Sequence, residues 1–194
     1  MNLTTNAPCP VCSVQMQFSW ETVEIPHFGE TMVIAGICDC GFRHSDTILL
    51  TQKEPVRFTL PVTSIEDLDA RVIRSSSGTL RIPELGVDIE PGFSSESYIS
   101  NVEGVLDRIL GVVGFATRSA REAESLDSIS KGEEILEKIN LAKAGRFPLT
   151  LILEDPLGNS AIDYEKAVKS TLPDEDAAHL KTGMIIVDVE SAGL

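Results

Sequence analysis

The four cysteines are the residues of this 194-residue chain whose spacing most clearly indicates chemistry, because they form two close pairs. Cys9 and Cys12 lie in a C-P-V-C run, and Cys38 and Cys40 lie in a C-D-C-G run. Two pairs of thiolates suit the tetrahedral coordination of Zn²⁺, since each pair can form a turn that offers two sulfur ligands. The spacing therefore predicts one Zn²⁺ per chain, held by these four residues.

Other uses of the cysteines are weaker alternatives. A redox C-x-x-C motif is typical of a thioredoxin-like βαβ unit, and no strand is predicted before Cys9. Disulfides are typical of secreted proteins, and the first residues show no signal peptide. Unrelated buried thiols would not be expected to fall in two close pairs.

The second cysteine pair departs from the usual C-x2-C spacing, since only Asp39 separates its members. His44 lies four residues beyond Cys40 and stays open as a ligand in place of Cys38. Cys38 is favoured, because both thiols of this pair otherwise lack a purpose.

The segment between the two pairs has the pattern of a β-hairpin. Apolar and polar residues alternate over 18–25, residues 26–29 form a turn, and 31–35 return as a second strand. A module of about 40 residues buries too little apolar surface to be stable alone. Structural zinc contributes on the order of 10 kcal/mol or more in such modules. We therefore expect residues 1–50 to form a zinc ribbon that folds only with metal.

Residues 51–194 are expected to form a second, mainly β domain with an α insertion. Short predicted strands separated by Pro and Gly turns indicate a sandwich or barrel. They cover 54–60, 68–74, 79–82, 149–154, 160–163 and 184–189, and a loop with a short helix is predicted over 165–183. Two capping boxes, at 100–103 and 130–133, predict the starts of two helices, and Gly145 the end of the second. We expect a helical hairpin at about 101–145.

The charge balance limits the classes of partner. The chain has 16 basic and 30 acidic residues, a formal net charge of −14. Nucleic-acid binding normally depends on Lys and Arg that neutralise phosphates, so DNA, RNA and anionic membranes are disfavoured as partners. A basic protein surface is favoured, chiefly through a faster encounter, although solubility or adaptation to intracellular salt would also account for the acidity. No stretch approaches 18 apolar residues, so we expect a cytoplasmic protein.

Several longer motifs, taken in order, carry a resemblance to a known family. They are CPVC at 9–12, IPHF at 25–28, CGFR at 40–43, VIRSS at 72–76, LRIPELG at 80–86, SNVEGVL at 100–106 and FPLTLILEDPLGNS at 147–160. With these motifs the chain resembles the ZPR-one (ZPR1) zinc-finger proteins over nearly its full length. The resemblance implies a zinc ribbon followed by a double-stranded β-helix, or jelly-roll-like, domain that carries a helical hairpin. It also implies a single finger-plus-domain unit, as in archaeal relatives.

The resemblance implies a protein-interaction module and not an enzyme. Eukaryotic relatives bind translation elongation factor 1-alpha and are implicated in its folding, so this factor is the expected partner. Two alternatives stay open, a zinc-ribbon factor associated with nucleic acid and a cupin-like metal enzyme. Such enzymes commonly hold a metal with two histidines and a carboxylate, whereas the three histidines here, at 27, 44 and 179, form no H-x-D or H-x-H motif.

Two turn segments are candidates for contact with a partner. Their Pro and Gly residues indicate that each segment is in the first place a turn. A role as a binding surface is the secondary interpretation. The candidate partner-binding residues are Ile82, Pro83, Glu84, Leu85, Asp155 and Asn159.

Overall fold

The computed structural model describes residues 2–26, 28–92 and 95–182, and the chain divides into two units, residues 1–53 and 54–194. The first unit is an antiparallel sheet of four strands in the order β1-β2-β3-β4. Their bounds are β1 Asn2–Pro8, β2 Gln15–Ile25, β3 Gly29–Ile37 and β4 Arg43–Leu49. Strands β2 and β3 form the predicted hairpin, and His27 of its turn lies outside the described residues.

Strand β1 corrects the expectation that no strand precedes Cys9. It pairs with β2 along its whole length, from Asn2 opposite Glu21 to Pro8 opposite Gln15. The strand is an edge strand with mostly exposed side chains, so it lacks the apolar alternation that would reveal it in the sequence. Backbone pairing with β2, rather than burial, therefore holds this segment in place.

The second unit contains a five-stranded sheet in the order β12-β5-β10-β7-β8 and a three-stranded sheet in the order β11-β6-β9. All pairings in both sheets are antiparallel. The strands are β5 Val56–Val62, β6 Arg71–Arg74, β7 Thr79–Ile82, β8 Val87–Ile89, β9 Tyr98–Asn101, β10 Leu149–Asp155, β11 Ala161–Asp163 and β12 Val168–Thr171.

One hydrophobic core takes buried side chains from both of these sheets. Alternate residues of β5 and β10 point into it, among them Leu60 and Leu151, and the three-stranded sheet contributes Val72 and Ile162. This alternation follows from the two-residue repeat of a strand with one face in the core. The mainly β architecture with two sheets is therefore the one predicted.

Two long helices form the predicted hairpin, α1 Val102–Glu122 and α2 Leu126–Lys143, and a short helix α3 spans Asp174–His179. The N-terminal part of α1 packs into the core through apolar residues of helical spacing, Val102, Val105, Leu106 and Ile109. The two helices meet closely at Gly132, where a Cβ atom would lie 2.1 Å from the hydroxyl oxygen of Thr117.

The predicted helix starts are both displaced. The first cap is Asn101, the last residue of β9, whose side-chain oxygen accepts from the Gly104 amide at 2.9 Å, so the cap lies one residue after the predicted Ser100. Helix α2 begins five residues earlier than predicted, after Ser125, so Ser130 lies inside it. The predicted end at Gly145 is confirmed, since this residue has a φ of 68° directly after the cap.

Two predicted strands and one predicted loop differ from the structure. Residues 68–74 begin as a 3-10 helix, Glu66–Asp69, and only Arg71–Arg74 is a strand. Residues 161–163 pair with β6 instead of returning along β10. Residues 168–171, predicted as loop, form strand β12 at the edge of the larger sheet. The predicted strand over 184–189 lies outside the described residues.

Candidate metal centre

The two cysteine pairs lie in the loops at one end of the four-stranded sheet. Cys9 and Cys12 connect β1 to β2, and Cys38 and Cys40 connect β3 to β4. Because β2 pairs with β3 up to Gln17 opposite Ile37, both loops leave the same end of the central hairpin. The hairpin therefore brings together residues that are about thirty positions apart in the sequence.

The four sulfur atoms have the spacing of a tetrahedral zinc site. All four lie within 4.8 Å of one another. The Sγ atoms of Cys9 and Cys40 are 3.7 Å apart, and those of Cys12 and Cys38 are 3.5 Å apart. A tetrahedron with Zn–S bonds of 2.3 Å has edges of about 3.8 Å. The residues present therefore fit Zn²⁺, and they supply four ligands.

Each cysteine loop is closed by backbone hydrogen bonds that end at a left-handed residue. The Ser13 amide donates to the Cys9 carbonyl at 2.8 Å, and the Gly41 amide donates to the Cys38 carbonyl at 2.9 Å. Ser13 has a φ of 60° and Gly41 a φ of 90°. The second loop thus makes the same kind of closure with one residue fewer, which explains how C-x-C spacing serves the site.

His44 does not belong to the ligand group formed by the described residues. It lies in β4, and its ring packs edge-on against Phe18, with centroids 5.6 Å apart and an interplanar angle of 72°. Cys38 is buried beside Cys9 and Met16 with its sulfur in the group. The geometry therefore supports the prediction that Cys38, and not His44, is the fourth ligand.

The electrostatics of the cluster favour a cation. Burial raises the pKa of the Cys9 thiol, but backbone amides of the first loop donate to its sulfur and lower the pKa to about 7. The Cys40 amide lowers the pKa of Cys38, whereas burial and the neighbouring thiols outweigh it and raise the value to about 12. Four thiolates at this distance repel one another, and a divalent cation removes that penalty.

Comparison with known proteins matches both units to one family. Residues 3–48 match the ZPR1 zinc-finger domain, and residues 66–179 match the ZPR1 jelly-roll domain. The chain belongs to the ZPR1 zinc-finger family. An uncharacterized ZPR1-like protein of Methanocaldococcus jannaschii is 41% identical over 93% of this chain and 91% of its own length. A ZPR1-like protein of Pyrococcus horikoshii is 38% identical over 92% of this chain and 82% of its own length.

Eukaryotic members of the ZPR1 family also match this chain. The zinc finger chaperone zpr1 of Schizosaccharomyces pombe is 31% identical over 81% of this chain, which corresponds to 35% of the yeast protein. Zinc binding by this ZPR1 chain thus rests on the family match and on the four-cysteine cluster together.

The first candidate partner segment of the ZPR1 jelly-roll domain is half buried. Ile82 and Leu85 are buried, and Pro83 is exposed. The carboxylate of Glu84 accepts from the amide and the hydroxyl of Thr150 at 3.0 and 2.8 Å, which ties this turn to β10. Pro83 and part of Glu84 face solvent, and the role of the segment in partner binding stays a prediction.

The second candidate segment is built around the buried carboxylate of Asp155. Five donors surround it, the hydroxyls of Ser75, Ser77 and Ser160 and the backbone amides of Leu157 and Asn159. Asp155 and Asn159 are both buried. Their contacts fit the turn chemistry of an Asp-Pro-x-Gly-Asn run, and a role in partner binding stays a prediction for them also.

Two further charged clusters were not identified from the sequence. Glu154 is buried between Arg57 and Arg81, which donate to its two oxygens from the neighbouring strands β5 and β7. Asp67 is fully buried, and although burial raises its pKa, the ammonium of Lys166 and backbone amides hold the pKa below its usual range. The sequence gives little signal for either cluster, because Glu154 and Asp67 each lie next to another acidic residue.

Proposed function

We propose that this protein binds translation elongation factor 1-alpha and assists its folding. The observation that carries the proposal is membership of the ZPR1 family, one of whose members is named a zinc finger chaperone. The choice of elongation factor 1-alpha as the partner rests on the resemblance to eukaryotic relatives that bind it. The relatives are named as zinc-finger proteins or a chaperone, and we accordingly propose a binding protein that is not an enzyme.

The charge of the chain supports a protein partner over nucleic acid. The net charge is −14, and Arg43 and Lys53 are the basic residues among the first 53. An acidic protein attracts basic surfaces and is repelled by phosphate backbones. Within the described ranges, no helix is both long and apolar enough to cross a membrane. Because translation takes place in the cytoplasm, we propose a cytoplasmic location.

Capture of the purified elongation factor by the full-length, zinc-loaded chain tests this function. We expect binding that weakens as salt rises from low to moderate concentration, because complementary charges are screened. Cys12→Ser, which removes a zinc ligand, should weaken capture. Ser45→Ala, an exposed change in the same sheet, should leave capture unchanged. Failure of the zinc-loaded wild type to bind the factor at low salt would refute the proposal.

A refolding assay separates chaperoning from simple binding. Denatured elongation factor 1-alpha is diluted into buffer with wild-type chain or with Cys12→Ser, and the recovered GTP-binding activity is measured. We expect a higher yield with the wild type. A yield with the wild type no higher than in buffer alone would leave a binding protein without a role in folding.

A further inference from the structure

A cavity of about 600 Å³ lies in the C-terminal unit between β8 and α1. Its apolar wall consists of Val87 and Ile89 from the strand and Ile109, Val112 and Val113 from the helix. Val112 is 71% exposed at the mouth, so this wall continues to the surface. Ligand sites commonly have this volume and an apolar lining with a few polar groups.

Two arginines supply positive charge to this cavity. The guanidinium groups of Arg74 and Arg108 lie 5.7 and 4.4 Å from the ring centroid of Tyr98. Arg74 is 5% exposed and donates to two neutral acceptors, the carbonyl of Gly78 at 2.8 Å and the hydroxyl of Ser95 at 3.1 Å. Burial lowers the pKa of Arg74, Tyr98 and the carboxylate of Asp155 act in the opposite direction, and the nearby charge of Arg108 lowers the pKa further.

The charges of these arginines are not neutralised by ion pairs within the part of the chain that the structure describes. Among the described residues, Arg74 has no carboxylate within ion-pair distance, and the nearby buried carboxylate of Asp155 already accepts five other hydrogen bonds. A buried guanidinium that lacks an ion pair is costly, and a bound anion would relieve that cost. Of the acidic residues around the cavity, Asp88 pairs with Arg81 and Glu90 pairs with Lys181. Glu96 is exposed, where solvent screens its charge.

We propose that this cavity binds the C-terminal end of a polypeptide, with the terminal carboxylate held by Arg74 and Arg108 and the last apolar side chain against the apolar wall. Guanidinium groups recognise carboxylates through paired, charge-assisted hydrogen bonds. In a terminal residue the carboxylate and the side chain share one Cα atom, so both reach adjacent subsites together. The choice of a polypeptide as ligand rests on the protein-binding function proposed above.

The test uses the full-length, zinc-loaded chain and two fluorescein-labelled peptides, Gly-Gly-Ser-Leu-Leu with a free C-terminal carboxylate and the same peptide with a C-terminal amide. Binding is followed by fluorescence anisotropy. We expect the carboxylate peptide to bind roughly tenfold or more tightly than the amide, the difference that a hydrogen-bonded charge typically makes. Arg108→Gln should remove this difference, and because Arg108 is exposed the variant should fold normally.

Arg118→Gln is the matched control, since Arg118 is exposed on the same helix and does not line the cavity. It should preserve the preference for the carboxylate. Equal binding of the two peptides would overturn the proposal. An equal loss of the carboxylate preference in Arg108→Gln and Arg118→Gln would also overturn it. So would an amidated peptide with an internal Asp that binds as tightly as the carboxylate peptide. Capture of the elongation factor uses no synthetic peptide, so either proposal can fail while the other holds.

Discussion

Replacement of Asp155 by Asn is the most informative perturbation of the jelly-roll domain. The side chain keeps its size, and one carboxylate oxygen becomes an NH2 group that can only donate. The hydroxyls of Ser75, Ser77 and Ser160 point at the carboxylate over 2.6 to 2.7 Å, and as hydroxyls they can rotate and accept instead. These three contacts can therefore adapt to the substitution.

The two backbone amides around Asp155 cannot adapt. Leu157 donates to Oδ1 at 2.9 Å and Asn159 donates to Oδ2 at 3.0 Å. Either orientation of the new amide group therefore turns its NH2 toward a backbone N–H. One buried donor is left without a partner, which costs about 1–3 kcal/mol. When the new NH2 group replaces Oδ2, the two hydrogen bonds that Oδ1 still accepts, from Ser77 and Leu157, lose the strengthening that a charged acceptor gives, about 1 kcal/mol each.

We therefore expect Asp155→Asn to lower the free energy of unfolding of this domain by about 4 kcal/mol. With a urea m-value of about 2 kcal/mol per molar, the midpoint falls by about 2 M. Urea unfolding followed by circular dichroism measures this midpoint. Asp163→Asn, an exposed change in β11, is the control and should stay within about 0.5 kcal/mol of wild type. A loss below about 1 kcal/mol in Asp155→Asn would refute the idea that this buried carboxylate holds its turn.

Three further predictions concern the hairpin, the second cysteine loop and acid stability. Gly132→Ala should destabilise the domain by about 1–3 kcal/mol, because the added methyl group clashes with the facing helix. Gly111→Ala, whose methyl group enters open space, should stabilise the domain by about 0.5–1 kcal/mol. Thermal melts that rank the two variants the other way would contradict this packing. Gly41→Ala should weaken zinc binding roughly 5- to 30-fold in a chelator competition, because its φ of 90° strains any residue with a Cβ, and unchanged affinity would oppose this reasoning. Because the pKa of Asp67 is depressed in the folded state, its contribution to stability is present above about pH 4 and is lost as pH falls below that value. Between pH 6 and pH 3, urea titrations of Asp67→Asn should therefore show a smaller fall in the free energy of unfolding than wild type. An identical fall in both proteins would count against this role of Asp67.

The sequence predicts well those features that depend on local spacing. The cysteine pairs identify the metal ligands, because a zinc turn needs only a few consecutive residues. The alternation over 18–25 and the apolar stripe that starts at Val102 predict a strand and a helix, since each follows its own period. Gly145 marks the end of α2, because a left-handed residue directly after a helix is also a local feature.

Features that depend on distant partners are not visible in the sequence. Ser100 has the pattern of a helix cap, but β9 continues by pairing through Asn101, and the helix begins one residue later than the pattern predicts. The cavity combines Arg74, Tyr98 and Arg108, which no motif connects. Their juxtaposition follows from the strand pairing of β6 with β9 and from the packing of α1, so it requires the three-dimensional structure.

The most direct test of the account is X-ray absorption at the zinc edge on the purified full-length chain, combined with elemental analysis. We expect one zinc per chain with four sulfur neighbours at about 2.3 Å, from Cys9, Cys12, Cys38 and Cys40. Absence of zinc, or a shell of three sulfurs and one nitrogen that would restore His44 as a ligand, would contradict it.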